Sequence, residues 1–273
     1  MYEKVIVLEG NKPGPTSMIL VGVHGNEICG ISAIKKILPT LKIDSGKLFI
    51  AYGNPKAIRK NVRYTESNLN RMFKPNSTYS KKVKYNYEFN RAQFLKKYLN
   101  KSDVLLDIHA SFTPKSKKFV ICENNAYQIA KYLPFDTIVS GFDYVQPGGT
   151  DYYMNRIGKI GICIECGYLK DKNAESVAFK SIYSFLSIVG NINDMNKIYK
   201  KSCINIYNQY LAITDDLRLS KKFRDFEKIK TNQVIGIDGK NKIVALKKSI
   251  ILFATDTKKI GDESFLLGEY KKV

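Results

Sequence analysis

Between residues 5 and 190, short apolar runs alternate with stretches of helical spacing, and this alternation limits the chain to a layered α/β architecture. VIVLEG (5–10), SMILVGVHG (17–25), KLFIAYGNP (47–55), DVLLDIHA (103–110), KKFVICEN (117–124), DTIVSG (136–141) and GICIECG (161–167) read as strands, with NKPGP (11–15) as a turn. NEICGISAIKKIL (26–38) and residues 86–99 and 173–190 read as helices. In the first of these, Ile28, Ile31, Ile34 and Leu38 fall near one face. Short apolar strands separated by helices predict a mostly parallel or mixed β-sheet flanked by helices.

The pattern changes near residue 196. INIYNQYLAIT, QVIGIDG, KIVALKKSIILFAT and SFLLGEY are strand-like runs separated by Gly-containing turns (IDGKNK, TKKIGDE), with few helical signals. They predict a small C-terminal all-β domain over 199–273, after an α/β domain over 1–198.

Composition removes several classes. The 273 residues, 44% of them hydrophobic, suffice for a buried core, and no run approaches the ~20 apolar residues of a membrane span. The first residues, MYEKVIVLEGNKPG, carry acids and turns rather than a secretory pattern. Five cysteines (Cys29, Cys122, Cys163, Cys166, Cys203) in a chain this long argue against a disulfide framework, so a cytoplasmic location is expected. The net charge is 45 − 25 = +20, but the lysines come as scattered pairs such as Lys35-Lys36 and Lys247-Lys248. Without a basic helix or an RNP-like aromatic motif they read as a solvated face, and neither a nucleic-acid nor a membrane partner is expected.

The chain has only two histidines. His24 sits in GVHGNE just past a strand, with Glu27 one turn further on. His109 ends DVLLDIH, where strand alternation puts Asp107 on the same side and Leu106 and Ile108 on the other. In α/β sheets, sites gather beyond the carboxyl ends of strands. His-x-x-Glu with a distant His is the His₂Glu donor set of catalytic zinc, which leaves a fourth position for water. Asp107 is then placed to accept the free ring N–H of a ligating histidine.

Glu165 lies on the apolar strand GICIECG, where a carboxylate is expensive without a role. Beside zinc that role is general base, moving a proton from metal-bound water to the leaving nitrogen. Cys163 and Cys166 are three apart on a strand and face opposite sides, so they read as packing residues. The polar stretch NPKAIRKNVRYTESNLNRMF (54–73) carries Arg59, Arg63 and Arg71 with Asn68 and Asn70 between them. Arginine forks there suit substrate carboxylates, and one near the metal could hold an oxyanion.

Together GVHGNE, NPKAI with Arg63 and LNRMF, DIH, and ECG resemble, in order over roughly residues 17–170, the motifs of the succinylglutamate desuccinylase/aspartoacylase family of zinc carboxypeptidase-like enzymes. The resemblance implies zinc (one Zn2+ per chain) on His24, Glu27 and His109, Glu165 as general base, and Arg63 as the carbonyl-polarising group. It implies Asn70 and Arg71 on the substrate carboxylate, and Tyr152 and Arg156 of YYMNR on an acidic side chain. It also implies a C-terminal β domain covering the active-site cleft. Two departures are visible: Asn68 stands where the family often has Asp, and Tyr270 is the sole candidate for a C-terminal tyrosine entering the site.

The expected function is therefore a zinc-dependent amidohydrolase that removes an acyl group from a small anionic N-acyl amino acid by Glu-assisted attack of metal-bound water. The alternatives are a zinc carboxypeptidase acting on peptides and a non-catalytic basic protein binding RNA or an acidic partner. A homo-oligomer is compatible with this reading.

Overall fold

The computed structural model describes residues 2–194 and 197–271. The first elements are β1 (Ile6–Glu9), β2 (Lys12–Val21), α1 (Cys29–Ile37), β3 (Ser45–Tyr52), α2 (Pro55–Lys60), α3 (Lys81–Lys84) and α4 (Tyr87–Leu99). Then come β4 (Val104–Ser111), β5 (Phe119–Cys122), α5 (Tyr127–Ala130), β6 (Thr137–Ser140), α6 (Phe142–Val145), α7 (Thr150–Arg156), β7 (Ile160–Tyr168) and α8 (Ala174–Val189). The remainder is β8 (Ser202–Leu211), β9 (Leu217–Leu219), β10 (Glu227–Ile229), β11 (Val234–Asp238), β12 (Asn241–Val244), β13 (Ser249–Leu252) and β14 (Glu263–Lys271).

Eleven strands form one mixed sheet in the order β1-β3-β2-β4-β7-β5-β6-β8-β14-β13-β10. Its centre, β3-β2-β4-β7, is parallel, and the register sets His109 directly opposite Glu165. Strand alternation sorts β4 between two apolar layers. Leu106, Ile108 and Ala110 pack with α1 and α8, whereas Leu105 packs on the other face with Phe89, Ala92 and Leu95 of α4. Each fully buried aliphatic side chain there contributes ~1.5–3 kcal/mol, so both faces clamp the strand that carries Asp107 and His109.

The sequence reading differs from this architecture in four places. The stretch NKPGP belongs mostly to β2, which begins at Lys12. That strand stops at Val21 and α1 starts only at Cys29, so His24 and Glu27 both lie in the connecting turn. Ile31 and Ile34 are buried as expected, but Ile28 precedes the helix and is 53% exposed. Most of the C-terminal strands join the main sheet instead of a separate one: β6 pairs in parallel with β8, and the sheet runs on into β14, β13 and β10. Only β12-β11-β9 is separate. No helix follows α8 among the described residues.

Candidate active site

Two glycines shape the turn that carries His24 and Glu27. Gly22 has φ +65°, in the left-handed region that favours glycine. Gly25 lies so close to α2 that a Cβ would sit 2.1 Å from the Ala57 carbonyl carbon. The helix met there is locally encoded: Asn54 caps it by accepting the Ala57 N–H at 3.1 Å, Pro55 occupies its first turn, and Asn61 ends it in a left-handed conformation. The Glu27 N–H donates to the His24 carbonyl at 3.2 Å and closes the turn.

The side chains of His24, Glu27 and His109 are buried, and each offers a donor atom within 4.8 Å of the others. Glu27 stands between the imidazoles, with Oε1 2.7 Å from His24 Nδ1 and Oε2 2.9 Å from His109 Nδ1. Glu27 Oε2 also accepts the Ala110 N–H at 3.1 Å, and Arg63 Nη1 donates to Oε1 at 3.2 Å. The far ring nitrogens each face a side-chain oxygen, in hydrogen-bonding geometry for His24 and as an ion-pair contact for His109. His24 Nε2 lies 3.0 Å from Asn68 Oδ1, and His109 Nε2 lies 3.3 Å from Asp107 Oδ2. Asp107 Oδ2 is itself held by the Thr150 hydroxyl.

This donor set fits a cation. Asn68 Oδ1 also accepts the Asn70 N–H at 3.0 Å, which fixes it as an acceptor. Both nitrogens of His24 therefore face acceptors, while a neutral imidazole has a single N–H. Burial, with Arg63 and His109 acting in the same direction, pulls His24 down to about 4, so the ring resists a second proton. A metal ion held by His24 and Glu27 would take up the ring's lone pair and leave its N–H for Asn68. Burial opposes charge on His109 as well, yet the Asp107 and Glu27 carboxylates hold it well above the usual imidazole range. Burial would raise Glu27, but the two imidazoles hold it well below the usual carboxylate range.

Glu165 is 8% exposed and faces the same cavity, and its Oε2 has no hydrogen-bond partner. Burial first, then the Glu27 carboxylate, pushes its carboxyl well above the usual range. The CxxC cysteines separate as expected, with Cys163 in the cavity-side cluster and Cys166 in the core against α1 and α8.

The cavity has a volume of about 540 Å³. Arg63, Asn70, Arg71 and Tyr152 line it with the metal-type triad and Glu165. Arg156 does not line it: its guanidinium is exposed and donates to the Tyr152 hydroxyl at 3.2 Å. Tyr270 is 58% exposed on β14 and also lies off the cavity. Asn68 touches His24 and the Asn70 backbone, so the change from Asp bears on the metal-type site before it bears on the arginines.

Several lining residues carried no sequence signal. Glu263 of β14 accepts from Arg71 Nε and Nη2, both at 2.7 Å, and from Gln146 at 2.9 Å. Burial would raise its carboxyl, but Arg71 holds it below the usual range. Behind the wall, off the cavity itself, buried Asp225 accepts from Ser111, Ser116 and the Phe253 N–H, tying the end of β4 and the loop after it to the C-terminal strands. Asp143 and Asp151 line the inner wall. Burial, then Glu123, pushes Asp143 up to about 6, and burial, then Asp143, pushes Asp151 up to about 7. These residues come from two short helices, a loop and a strand end, and no short motif announces them.

Comparison with known proteins identifies a family and a shared fold. The family model described as the succinylglutamate desuccinylase/aspartoacylase catalytic domain matches residues 13–202. A protein named as a probable aspartoacylase from Nostoc sp. is 25% identical over 248 residues, covering 81% of this chain and 84% of that one. The crystal structure of succinylglutamate desuccinylase from Vibrio cholerae superposes with a TM-score of 0.81 at 16% identity, covering 97% of this chain and 85% of that one. A succinylglutamate desuccinylase/aspartoacylase from Rhodobacter sphaeroides gives a TM-score of 0.73 at 16% identity, covering 98% and 89%. The chain belongs to the succinylglutamate desuccinylase/aspartoacylase family, whose members are deacylases.

Proposed function

We propose that the protein is a zinc-dependent amidohydrolase that removes the acyl group from an N-acyl amino acid. The observation that carries this reading is the buried convergence of His24 Nδ1, Glu27 and His109 Nδ1, with Asn68 accepting behind His24, the Asp107 carboxylate beside His109, and an unpartnered Glu165 oxygen on the same cavity. Zinc, when bound by His24, Glu27 and His109, supplies a Lewis acid that polarises the amide carbonyl and acidifies a water. Asn68 orients the His24 ring through a hydrogen bond at Nε2, and the Asp107 carboxylate, 3.3 Å from His109 Nε2, attracts that ring electrostatically. Glu165 takes the proton of the attacking water and delivers it to the leaving nitrogen, and its raised proton affinity suits both transfers. Arg63 reaches the metal site through Glu27 and can turn a guanidinium N–H toward the oxyanion that forms. Asn70 and Arg71 hold the carboxylate of the amino-acid part, and Tyr152 stands on the adjoining wall.

In this reading residues 1–198 form the catalytic unit and residues 199–273 cover its cleft. Phe253, Thr257, Glu263 and Phe265 on the cavity wall support that division of labour. A cavity of about 540 Å³ favours a small substrate over a peptide. Five free thiols fit a reducing compartment, which supports a cytoplasmic location. No helix is long and apolar enough to cross a membrane among the described residues. The test is a hydrolysis panel of N-acetyl and N-succinyl amino acids beside short peptides. Turnover of a single-residue substrate is expected, and peptide-only turnover would replace this reading with the carboxypeptidase.

A further inference from the structure

Helix α4 carries two buried charged residues that the site described above does not use, Glu88 in its first turn and Arg91 one turn later. Glu88 is 0% exposed and lies off the cavity. It gathers five neutral donors. Its Oε1 accepts the Thr65 N–H and hydroxyl, both at 2.7 Å, and the Asn54 amide at 3.2 Å. Its Oε2 accepts the Glu66 and Ser67 N–H groups, both at 3.2 Å. Burial would raise this carboxyl, but the Thr65 hydroxyl and N–H, with the Asn54 amide, hold it below the usual range. The start of a helix also favours a negative charge. Arg91 donates to the Tyr52 and Gly53 carbonyls at 2.8 and 2.9 Å, just ahead of Asn54.

Both segments that Glu88 holds lead into the metal-type site. Residues 65–67 run between Arg63 and Asn68. Arg63 donates to Glu27, and its carbonyl accepts the Gly25 N–H at 3.2 Å. Asn68 Oδ1 faces His24 Nε2 and accepts the Asn70 N–H. Asn54 caps α2, against which Gly25 packs, and its N–H donates to the Gly22 carbonyl at 2.9 Å. The loop holds α4 in return: Glu66 accepts the Tyr87 N–H at 2.8 Å, and the Ser67 hydroxyl accepts the Asn86 amide at 2.6 Å. One carboxylate thus ties together the two segments that touch the turn carrying His24 and Glu27. An amide of the same shape would turn an NH2 toward donors whichever way it was oriented, so the anion itself is required.

We propose that Glu88 is a positioning residue: by holding residues 65–67 and Asn54 at once, it sets Asn68 against His24 and Arg63 against Glu27. Its effect on the metal passes through Asn68, and its effect on turnover through Arg63. The second of these rests on the deacylase reading, and the first does not.

The test compares Glu88→Gln with Phe185→Leu, a core change in α8 far along the chain that lowers Tm without touching this network. Zinc affinity is read by competition with a chromophoric chelator, and kcat and KM on the best N-acyl amino acid, both well below Tm. Glu88→Gln is expected to lose ~10-fold in zinc affinity and ~10-fold in kcat, while Phe185→Leu loses neither. In an Asn68→Ala background the zinc loss caused by Glu88→Gln should shrink below ~2-fold, because the two changes break one path. Thr65→Ala withdraws one donor and leaves the carboxylate in place. It takes the place of Glu88→Gln should that variant not fold, with ~3-fold losses expected in both readouts. If the parent hydrolyses no acyl amino acid but the zinc loss appears and vanishes with Asn68→Ala, the positioning role stands and the deacylase reading falls. A variant that loses Tm alone, or a zinc loss of the same size in the Asn68→Ala background, overturns the positioning role and leaves the deacylase reading intact.

Discussion

Arg71 grips both carboxylate oxygens of Glu263 at 2.7 Å, joining the loop after α2 to the first residue of β14 across 192 positions of sequence. The arginine expected to hold a substrate carboxylate thus already holds one of the protein's own. A bidentate fork has a second edge, but Arg71 Nη1 also donates to the Asn70 carbonyl at 2.8 Å. A substrate must share this guanidinium with Glu263 or displace it.

Glu263→Gln is accordingly expected to lower the KM for a substrate with a free α-carboxylate by ~3- to 10-fold, with kcat little changed. Loss of the charged tie should also cost about 1–2 kcal/mol of stability, read as a lower Tm. A raised KM in a folded variant would mean that Glu263 assists substrate binding.

Removing the metal should loosen the turn between β2 and α1. Without a cation, His24 Nδ1 and Glu27 are left with a contact that a neutral ring cannot satisfy while Nε2 donates to Asn68. A strong chelator is expected to lower Tm by several degrees, zinc to restore it, and His24→Ala to remove the response. A Tm indifferent to chelator and zinc would argue against a metal on these three donors.

Asn68→Asp offers His24 Nε2 a charged acceptor in place of a neutral one. Ring basicity and zinc affinity should rise together, by ~10-fold or more in a competition titration against a chromophoric chelator. An unchanged affinity would mean that Asn68 acts on the Asn70 backbone alone.

Asp151 gives a pH signature. Its carboxyl titrates at about 7 in the folded chain, because of burial and then Asp143. The unfolded value is ~3.9. Between the two, the folded state keeps a proton that the unfolded state has lost, so stability falls as pH rises through this window. Asp151→Asn removes that loss. Its Tm advantage over the parent should be small near pH 4 and grow by several degrees by pH 8. A gap independent of pH would show that the carboxylate is freely solvated.

The centre of the molecule was legible because it obeys local rules. Apolar strands ending in polar residues exposed β2, β4 and β7, and the rarity of histidine drew His24 and His109 together with Glu27 and Glu165. Strand alternation correctly put Asp107 beside His109. The edges of that reading failed where local pattern is ambiguous. A Gly-Pro-rich stretch can extend a strand at its exposed end, as Lys12–Pro15 does in β2. The run-on of the sheet from β6 into β8 depends on backbone pairing between distant segments, which composition does not encode. Glu263 and Asp225 were invisible for the same reason, since each acts through a partner that folding alone brings near, and only folding turns Asp143 and Asp151 toward the cavity. Arg156 matched by spacing but turns to solvent, since α7 places Tyr152 on the cavity and the residue one turn later outside it.

The central claim is that one zinc and Glu165 divide the work of amide hydrolysis. The most direct measurement takes metal content and N-acyl amino acid hydrolysis together, on the parent chain and on Glu165→Gln. The account predicts about one zinc per chain in both proteins and a kcat at least ~100-fold lower in the variant, the range set by loss of a general base. A folded parent that binds no zinc, or a Glu165→Gln variant that keeps full activity, would contradict it.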